Sequence, residues 1–437
     1  MKPHRFLAEL DAAELVRPHG LVRRMGQGHI EATGPACAVG DLCRIGDALP
    51  VLAQTVSVDE TGLVLVPLEH RRAIRLGERV FALPDGGMVG VGAAYAARAI
   101  DALGNPIDQG GPILADAMVP IAGHVPRPLD RAAPERPIAT GLRAIDGLLT
   151  LGQGQRIGIF AASGVGKTSL LEQLAAQIEC DRCVICLVGE RGREVEAIWR
   201  QVSAREDRAR FTLVAATSDE SAPLRARAID TALCLAESWR DLGEHVLLVV
   251  DSVTRFAMAL REIGLAAGEP PTVRAYTPNV FAALPRLVER CGAVRKGGAI
   301  TAILTVLSET DDVDDPIVEV MKSLLDGHVI LSRPLAERGH FPAIDVSRSV
   351  SRQASSLMAP SHAAAAREAI ADLGVFEEAR VMIESGVYKR GASAEIDRAI
   401  VMRDHLLAFL QQRQDEQVPF AETVEALAAV VRGGAYA

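Results

Sequence analysis

Between residues 20 and 90 the chain runs as short β-rich segments separated by Gly and Pro-Asp punctuation: Gly20-Leu-Val22, His29-Ile-Glu-Ala32, Leu42-Cys-Arg-Ile45, Thr55-Val-Ser-Val58, Leu63-Val-Leu-Val66 and Arg79-Val-Phe-Ala-Leu83. Six short strands at this spacing predict a small β-barrel. The pattern changes between residue 140 and about 350. Apolar runs at 156–160, 183–188, 211–215, 246–250 and 299–306 alternate with helical patterns, which predicts a mainly parallel sheet covered by helices. Past residue 356 the strand signal stops, and the Ala-rich, Leu- and Arg-containing segments 361–373 and 395–413 predict a helical C-terminal domain. Residues 5–17 read as a short amphipathic helix ended by Pro18, either a cap on the next domain or a detachable partner-binding segment. The stretch 112–137 carries Pro120, Pro126, Pro128, Pro134 and Pro137 and reads as an ordered connector. The expected division is a partner segment over 1–19, a barrel over 20–90, an α/β core over 91–355 and a helical domain over 356–437.

Composition narrows the class. Hydrophobic residues make up 49% of the 437 and charged residues 24%, which suits a globular protein rather than a disordered one. The net charge of −9 disfavours a broad nucleic-acid-binding surface. Apolar runs such as Val246-Leu-Leu-Val-Val250 are far shorter than the ~18 residues of a membrane span and suit buried strands. Glu9, Asp11 and Glu14 interrupt the apolar N-terminus, so it does not read as a signal peptide, and a cytoplasmic protein is expected. Seven scattered cysteines do not make a disulfide framework. Cys180, Cys183 and Cys186 share a CxxCxxC spacing, but Cys183–Val188 reads as a buried strand whose positions i and i+3 face opposite ways, so core packing is expected rather than a metal centre.

The sharpest chemical signal is Ala161-Ala-Ser-Gly-Val-Gly-Lys-Thr168, preceded by the strand-like run Arg156–Phe160 and followed by the helical pattern Ser169–Ile178. Strand, glycine-rich turn, Lys-Thr and helix make a phosphate-binding loop. Its backbone N–H groups and the helix N-terminus cradle a β-phosphate, Lys167 reaches the β- and γ-phosphates, and the Thr168 hydroxyl suits Mg²⁺. Ala161 stands where the motif has its first glycine and Ala162 where another often sits. That is tolerated as long as neither position needs positive φ, while Gly164 and Gly166 are retained.

Three further stretches offer candidates. The run 183–188 closes on Gly189-Glu-Arg-Gly-Arg-Glu194, so Glu190 lies past the C-terminal edge of a parallel strand, where ligands sit. If the adjacent strand carries the phosphate loop, Glu190 faces the γ-phosphate and polarises a water for in-line attack. A surface Glu-Arg ion-pair cluster is the plainer alternative. Val246–Val250 closes on Asp251, suited to a Mg²⁺ water, and Arg255 follows one helical turn later, either toward the phosphates or in a salt bridge. In Gly339-His-Phe-Pro-Ala-Ile-Asp-Val-Ser-Arg-Ser-Val-Ser-Arg352, Phe341 offers a flat face to adenine, and Arg352 suits a charge-stabilising finger only in a site it does not itself build. A core Phe and a surface Arg are the alternatives.

Together these stretches resemble the ATPases of flagellar and type III protein export, relatives of the catalytic β subunit of rotary ATP synthases. The resemblance rests on Thr140-Gly-Leu-Arg-Ala-Ile-Asp146, Gly158–Thr168, Gly189–Val195, Asp251-Ser-Val-Thr-Arg-Phe-Ala257, Arg261–Pro271, Leu325–Arg333, Phe341–Asp345 and Ser349-Val-Ser-Arg352. It spans about residues 20 to 410. It implies a RecA-like core and Mg²⁺-dependent ATP hydrolysis by a homohexameric ring that energises export. By it, ATP is held by Ser163, Gly164, Val165, Gly166, Lys167, Thr168 and Ser169, with Phe341 on the adenine. Glu190 is the catalytic base, Lys167, Arg191 and Arg255 lie near the γ-phosphate, and Arg352 is a finger lent to the adjacent subunit. Thr168, Asp251 and Glu194 organise the metal. The segment Tyr388–Asp397 is similar to one that faces a central stalk, and the N-terminal helix to a regulator-binding segment. Export chaperone–substrate complexes and an export gate are implied partners, with the ring associated peripherally with the inner face of the membrane.

Within that resemblance, Arg261–Pro271, Tyr276–Phe281 and Leu284–Arg290 suggest the flagellar branch, and virulence-type export ATPases look much the same. Two other readings share the core. A non-hydrolysing subunit of a rotary ring usually lacks a base such as Glu190. An RNA-translocating ring is disfavoured by the acidic balance and by Phe81 being the one aromatic residue in 20–90.

Overall fold

The computed structural model describes residues 17–26, 28–69, 72–307 and 315–433; the helix expected over 5–17 therefore lies, except for Arg17, outside the described residues. Strands β1 (Gly20–Met25), β2 (Ile30–Ala32), β3 (Leu42–Ile45), β4 (Val51–Asp59), β5 (Gly62–Pro67) and β6 (Arg79–Ala82) close into an antiparallel barrel in the order β1-β2-β5-β4-β3-β6. Alternation fills it: successive side chains point to opposite faces, so Val22, Ile30, Ile45, Ala53, Leu63, Leu65 and Val80 share one interior cluster.

Past Ala82 the chain leaves the barrel. β7 (Met88–Val91) pairs with β9 (Ala117–Pro120), while β8 (Arg98–Ile100) joins the main sheet. The proline-rich stretch also supplies β10 (Arg131–Ala132) and β11 (Pro137–Ile138), the latter paired with β12 (Leu151–Gly152). Its fixed position comes from these short pairings. Two-to-four-residue edge strands containing proline show no period to read in a sequence.

The core alternates β13 (Arg156–Ala161), α1 (Lys167–Gln177), β14 (Arg182–Glu190), α2 (Gly192–Ser203), β15 (Phe211–Thr217), α3 (Ala222–Asp241), β16 (His245–Asp251), α4 (Val253–Ala266) and α5 (Pro278–Arg290). β17 (Gly292–Val294), β18 (Ala299–Leu307), α6 (Pro316–Leu324), β19 (Gly327–Leu331), α7 (Arg333–Glu337) and β20 (Ile344–Ser351) complete it. The strand order is β20-β19-β13-β18-β16-β14-β15-β8, parallel except for the antiparallel edge β20. Continuous apolar strands such as Val246–Val250 are buried on both faces, as a parallel sheet requires. One face packs against α3 and α4. The other packs against α1 and the C-terminal helices. Cys183 lies in the cluster on one face and Cys186 in that on the other, so the strand geometry separates them.

After α8 (Ala354–Leu357) come three helices, α9 (Pro360–Glu384), α10 (Ala394–Leu410) and α11 (Phe420–Val431). Leu406, Phe409 and Leu427 share a cluster with Ile157 and Ile159 of β13, so the helical domain and the nucleotide sheet have one continuous core. Among the described residues no helix is long and apolar enough to cross a membrane.

Candidate active site

Parallel strands all deliver their C-terminal ends to one edge of a sheet, and the residues that follow them line a common crevice. β13 feeds the loop Ala162–Gly166, and α1 starts at Lys167. Gly164 and Gly166 have φ of 81° and 90°, conformations an L side chain resists. Neither Ala161 nor Ala162 has positive φ, so the missing glycines cost the turn nothing. Val165 is buried and pins the loop, while Ser163, Thr168 and Ser169 are exposed along it.

β16 brings Asp251 to the same edge. Its carboxylate is ion-paired with the Lys167 ammonium and accepts a hydrogen bond from Thr305 Oγ1 at 2.8 Å. Thr305 sits on β18, the strand between β13 and β16, and fixes the acid from the other side. Sequence reading missed Thr305, because a threonine inside a strand-like run carries no local signal.

The strand that carries Glu190 is not the one next to the phosphate-loop strand. β18 and β16 lie between β13 and β14. Glu190 still reaches the site because β14 is long: Leu187 is in register with Asp251, so Glu190 stands three residues farther out, roughly 10 Å along the strand. Burial pushes its carboxyl up to about 7, helped by the negative charge of Asp251 and by the Glu194 carboxylate, which favours the protonated form, and opposed by Lys167 and Arg255. Glu194 stands in the first turn of α2, just after the strand that ends in Glu190. The adjacent Gly189 has φ of 69°, and a Cβ there would stand 3.3 Å from the Arg255 side chain. Arg255 lies in the first turn of α4, whose Ser252 cap accepts from its backbone N–H. Its guanidinium Nε is buried with no hydrogen-bond partner, a donor left for an anion.

Phe341 flanks the loop from the other side. Its ring would be 3.2 Å from a Cβ at Gly166, and it is 44% exposed, which leaves a face open for stacking. With Gly166, Ser169, Gln173, Pro342 and Arg413 it lines a cavity of about 800 Å³, ample for a nucleoside. The C-terminal domain closes this cavity. Gln412 N donates to Phe341 O at 2.8 Å, Gln412 Nε2 donates to Gly141 O at 2.6 Å, and Arg143 is paired with Glu416. The last two contacts span 271 and 273 residues of sequence, so spacing could not have revealed them.

Two expected site residues stand apart. The side chain of Arg191 is exposed at the cap of α2. Arg352 follows Ser351, which is in register with Gly327 and through it with Ile157, near the start of β13. Within one chain it therefore lies about 13 Å or more from the phosphate loop, at the opposite end of the sheet. Its side chain is exposed and donates to Lys322 O at 3.1 Å. Two further stretches form hydrogen-bonded turns. Asp146 accepts from Thr140 N, Thr140 Oγ1 and Gly141 N, locking the turn before β12. Tyr388 and Asp397 close the turn that starts α10.

The donors at this edge suit magnesium. One hydroxyl (Thr168) and one or two carboxylates (Asp251, Glu194) match an ion that keeps several waters and takes the rest of its shell from phosphate.

The sequence was also compared with known proteins. Residues 141–351 match the nucleotide-binding domain of the ATP synthase alpha/beta family, and residues 358–429 match the T3SS EscN ATPase C-terminal domain. The chain is 42% identical to the flagellum-specific ATP synthase of Bacillus subtilis, over 98% of each chain. The assembled ATPase EscN of the enteropathogenic E. coli type III secretion system superposes with a TM-score of 0.89 at 38% identity, covering 94% of this chain and 100% of that one. EscN in complex with its central stalk EscO gives a TM-score of 0.85 at 38% identity over the same shares.

Proposed function

The chain belongs to the ATP synthase alpha/beta family, among its flagellum-specific and type III secretion ATPases, and on that premise we propose how its residues divide the work. It is an ATPase of flagellar and type III protein export. The adenine stacks on Phe341 and the phosphates lie in Ser163–Ser169, neutralised by Lys167, which exchanges its pairing with Asp251 for the incoming anion. Thr168, Asp251 and Glu194 would hold Mg²⁺, which would supply charge neutralisation to the phosphates. Glu190 accepts a proton from the water in line with the γ-phosphate. Arg255 donates its free Nε to the same group, and Arg191 turns in from the rim once nucleotide is bound.

Arg352 acts in the site of the next copy. Its position across the sheet from its own loop supports a seam between subunits, and EscN, solved as an assembled ATPase, supports a homohexameric ring. The chain divides into a barrel (20–90), a nucleotide core (91–355) and a helical domain (356–437). The turn at Tyr388–Asp397 meets a central stalk, by analogy with the complex of EscN with EscO, and residues 1–19 take an export regulator. Chaperone–substrate complexes and the export gate engage a cytoplasmic ring held peripherally at the membrane.

The observation that carries this reading is the meeting of Lys167, Asp251, Glu190 and an unpartnered Arg255 at one sheet edge. Light-scattering mass measured with and without Mg-ATP, alongside phosphate release, tests it: turnover should rise as monomer converts to a ring. Full turnover by a monomer at every dilution would overturn the shared site.

A further inference from the structure

The CxxC spacing at Cys180 and Cys183 takes no part in ATP chemistry, yet its surroundings are not those of inert core thiols. Cys180 lies half-buried just beyond α1, the helix that starts with Lys167. Arg210 Nη1 donates to Cys180 Sγ at 3.0 Å. That guanidinium is fixed by Asp207 at 2.8 Å and by the carbonyls of Ala175 and Ala176, each at 3.0 Å, so its charge stays against the sulfur. The chain bends at Asp181, which is tied to His245 in both directions, Asp181 N to His245 O at 2.9 Å and His245 N to Asp181 Oδ2 at 2.7 Å. This bend lies between Cys180 and Cys183, and Cys183 is wholly buried at the start of β14.

We propose that Cys180 and Cys183 form a peroxide-reactive dithiol, with Cys180 the attacking sulfur and Cys183 the resolving one. Thiolate, not thiol, is the nucleophile, and a fixed cation beside an accessible sulfur is the setting that generates it. The Cys183 hydrogen bond and the Arg210 charge draw the Cys180 pKa down against burial, whereas burial drives that of Cys183 well up. The two thiols therefore differ in the sense the division of roles requires. The Cys180 thiolate attacks one oxygen of hydrogen peroxide. An S–O bond forms, the O–O bond breaks and hydroxide leaves, so sulfur is oxidised to the sulfenic acid and peroxide is reduced. Cys183 sulfur then attacks the sulfenic sulfur. An S–S bond forms, the S–O bond breaks, and the departing hydroxyl leaves as water with the Cys183 proton. A dithiol reductant reverses the link. The bridge would staple the end of the phosphate-loop helix to the strand that ends in Glu190.

The test uses the full reduced chain treated with hydrogen peroxide at neutral pH, alkylated and digested with trypsin. Arg182 separates the two cysteines, so cleavage places them on different peptides, Thr168–Arg182 and Cys183–Arg191. The expected product is these peptides joined and lighter by two hydrogens, returned to separate species by dithiothreitol. Cys186→Ala must keep the link, because Cys186 shares the second peptide. Cys183→Ala must stop at a sulfenic acid on Cys180 that dimedone captures, and Cys180→Ala must abolish the link while hydrolysing ATP at the parental rate. Cys180 should react about tenfold faster than the half-buried Cys37 in the same molecule. Recovery of unlinked Cys180 thiol after Cys37 has reacted, or loss of the link in Cys186→Ala, overturns the proposal. The readout is covalent mass, so this failure is distinct from any failure of the ATPase mechanism.

Discussion

Replacing Glu190 by Gln tests the base and its environment together. The amide keeps the shape and cannot accept a proton, so hydrolysis should fall by roughly 10²–10⁴-fold while ATP binding stays nearly intact. The pH dependence sharpens the test. Burial, with the charge of Asp251, places the Glu190 carboxyl at about 7 in the free protein. A base works only when ionised, so kcat/KM should fall on the acid side, by roughly tenfold for each pH unit below about 7, and level off above it. The terminal phosphate of ATP also titrates near pH 6. The informative quantity is therefore the difference between the parent and Glu190→Gln, in which the Glu190 contribution to the acid limb must vanish. Phosphate release measured at limiting ATP from about pH 5.5 to about pH 8.5 gives both profiles. A Gln variant within tenfold of the parent, or an acid limb equally steep in both, would refute the role of Glu190.

Phe341→Ala should raise KM for ATP by roughly 5- to 100-fold, the worth of one stacked base, and Phe341→Trp should restore most of it; an unchanged KM would remove Phe341 from the adenine pocket. Arg290 is buried between α3 and α5, paired with Glu237 at 2.6 Å and Asp230 at 2.9 Å. Arg290→Met should therefore cost about 3–5 kcal/mol by stranding the buried Glu237 carboxylate, read as a lower urea midpoint, and Arg290→Met with Glu237→Leu should recover much of it. A single variant with an unchanged midpoint would contradict that account.

Much of the site was legible because its signals are local. The glycine-rich turn, the apolar run closing on Asp251 and the hexapeptide after β14 each carry their chemistry within ten residues. What was not legible is lateral order. Nothing in β13 or β14 says that β18 and β16 separate them, so adjacency could only be posed as a condition; Glu190 stands three strands away and reaches the site by strand length instead. Thr305 and Gln412 were missed for the same reason: each acts on a partner brought near only by folding. The barrel was readable from its alternation, whereas β8, β10 and β11 are too short to show a period.

The seam between copies is tested most directly by mixing two inactive variants. Lys167→Ala lacks the cradle and keeps the finger, while Arg352→Ala keeps the cradle and lacks the finger. If Arg352 serves the neighbouring site, random rings from an equal mixture contain intact seams at about one in four positions, and phosphate release should recover toward about a quarter of the parental rate. Activity that stays at the sum of the two variants at every mixing ratio would contradict the account.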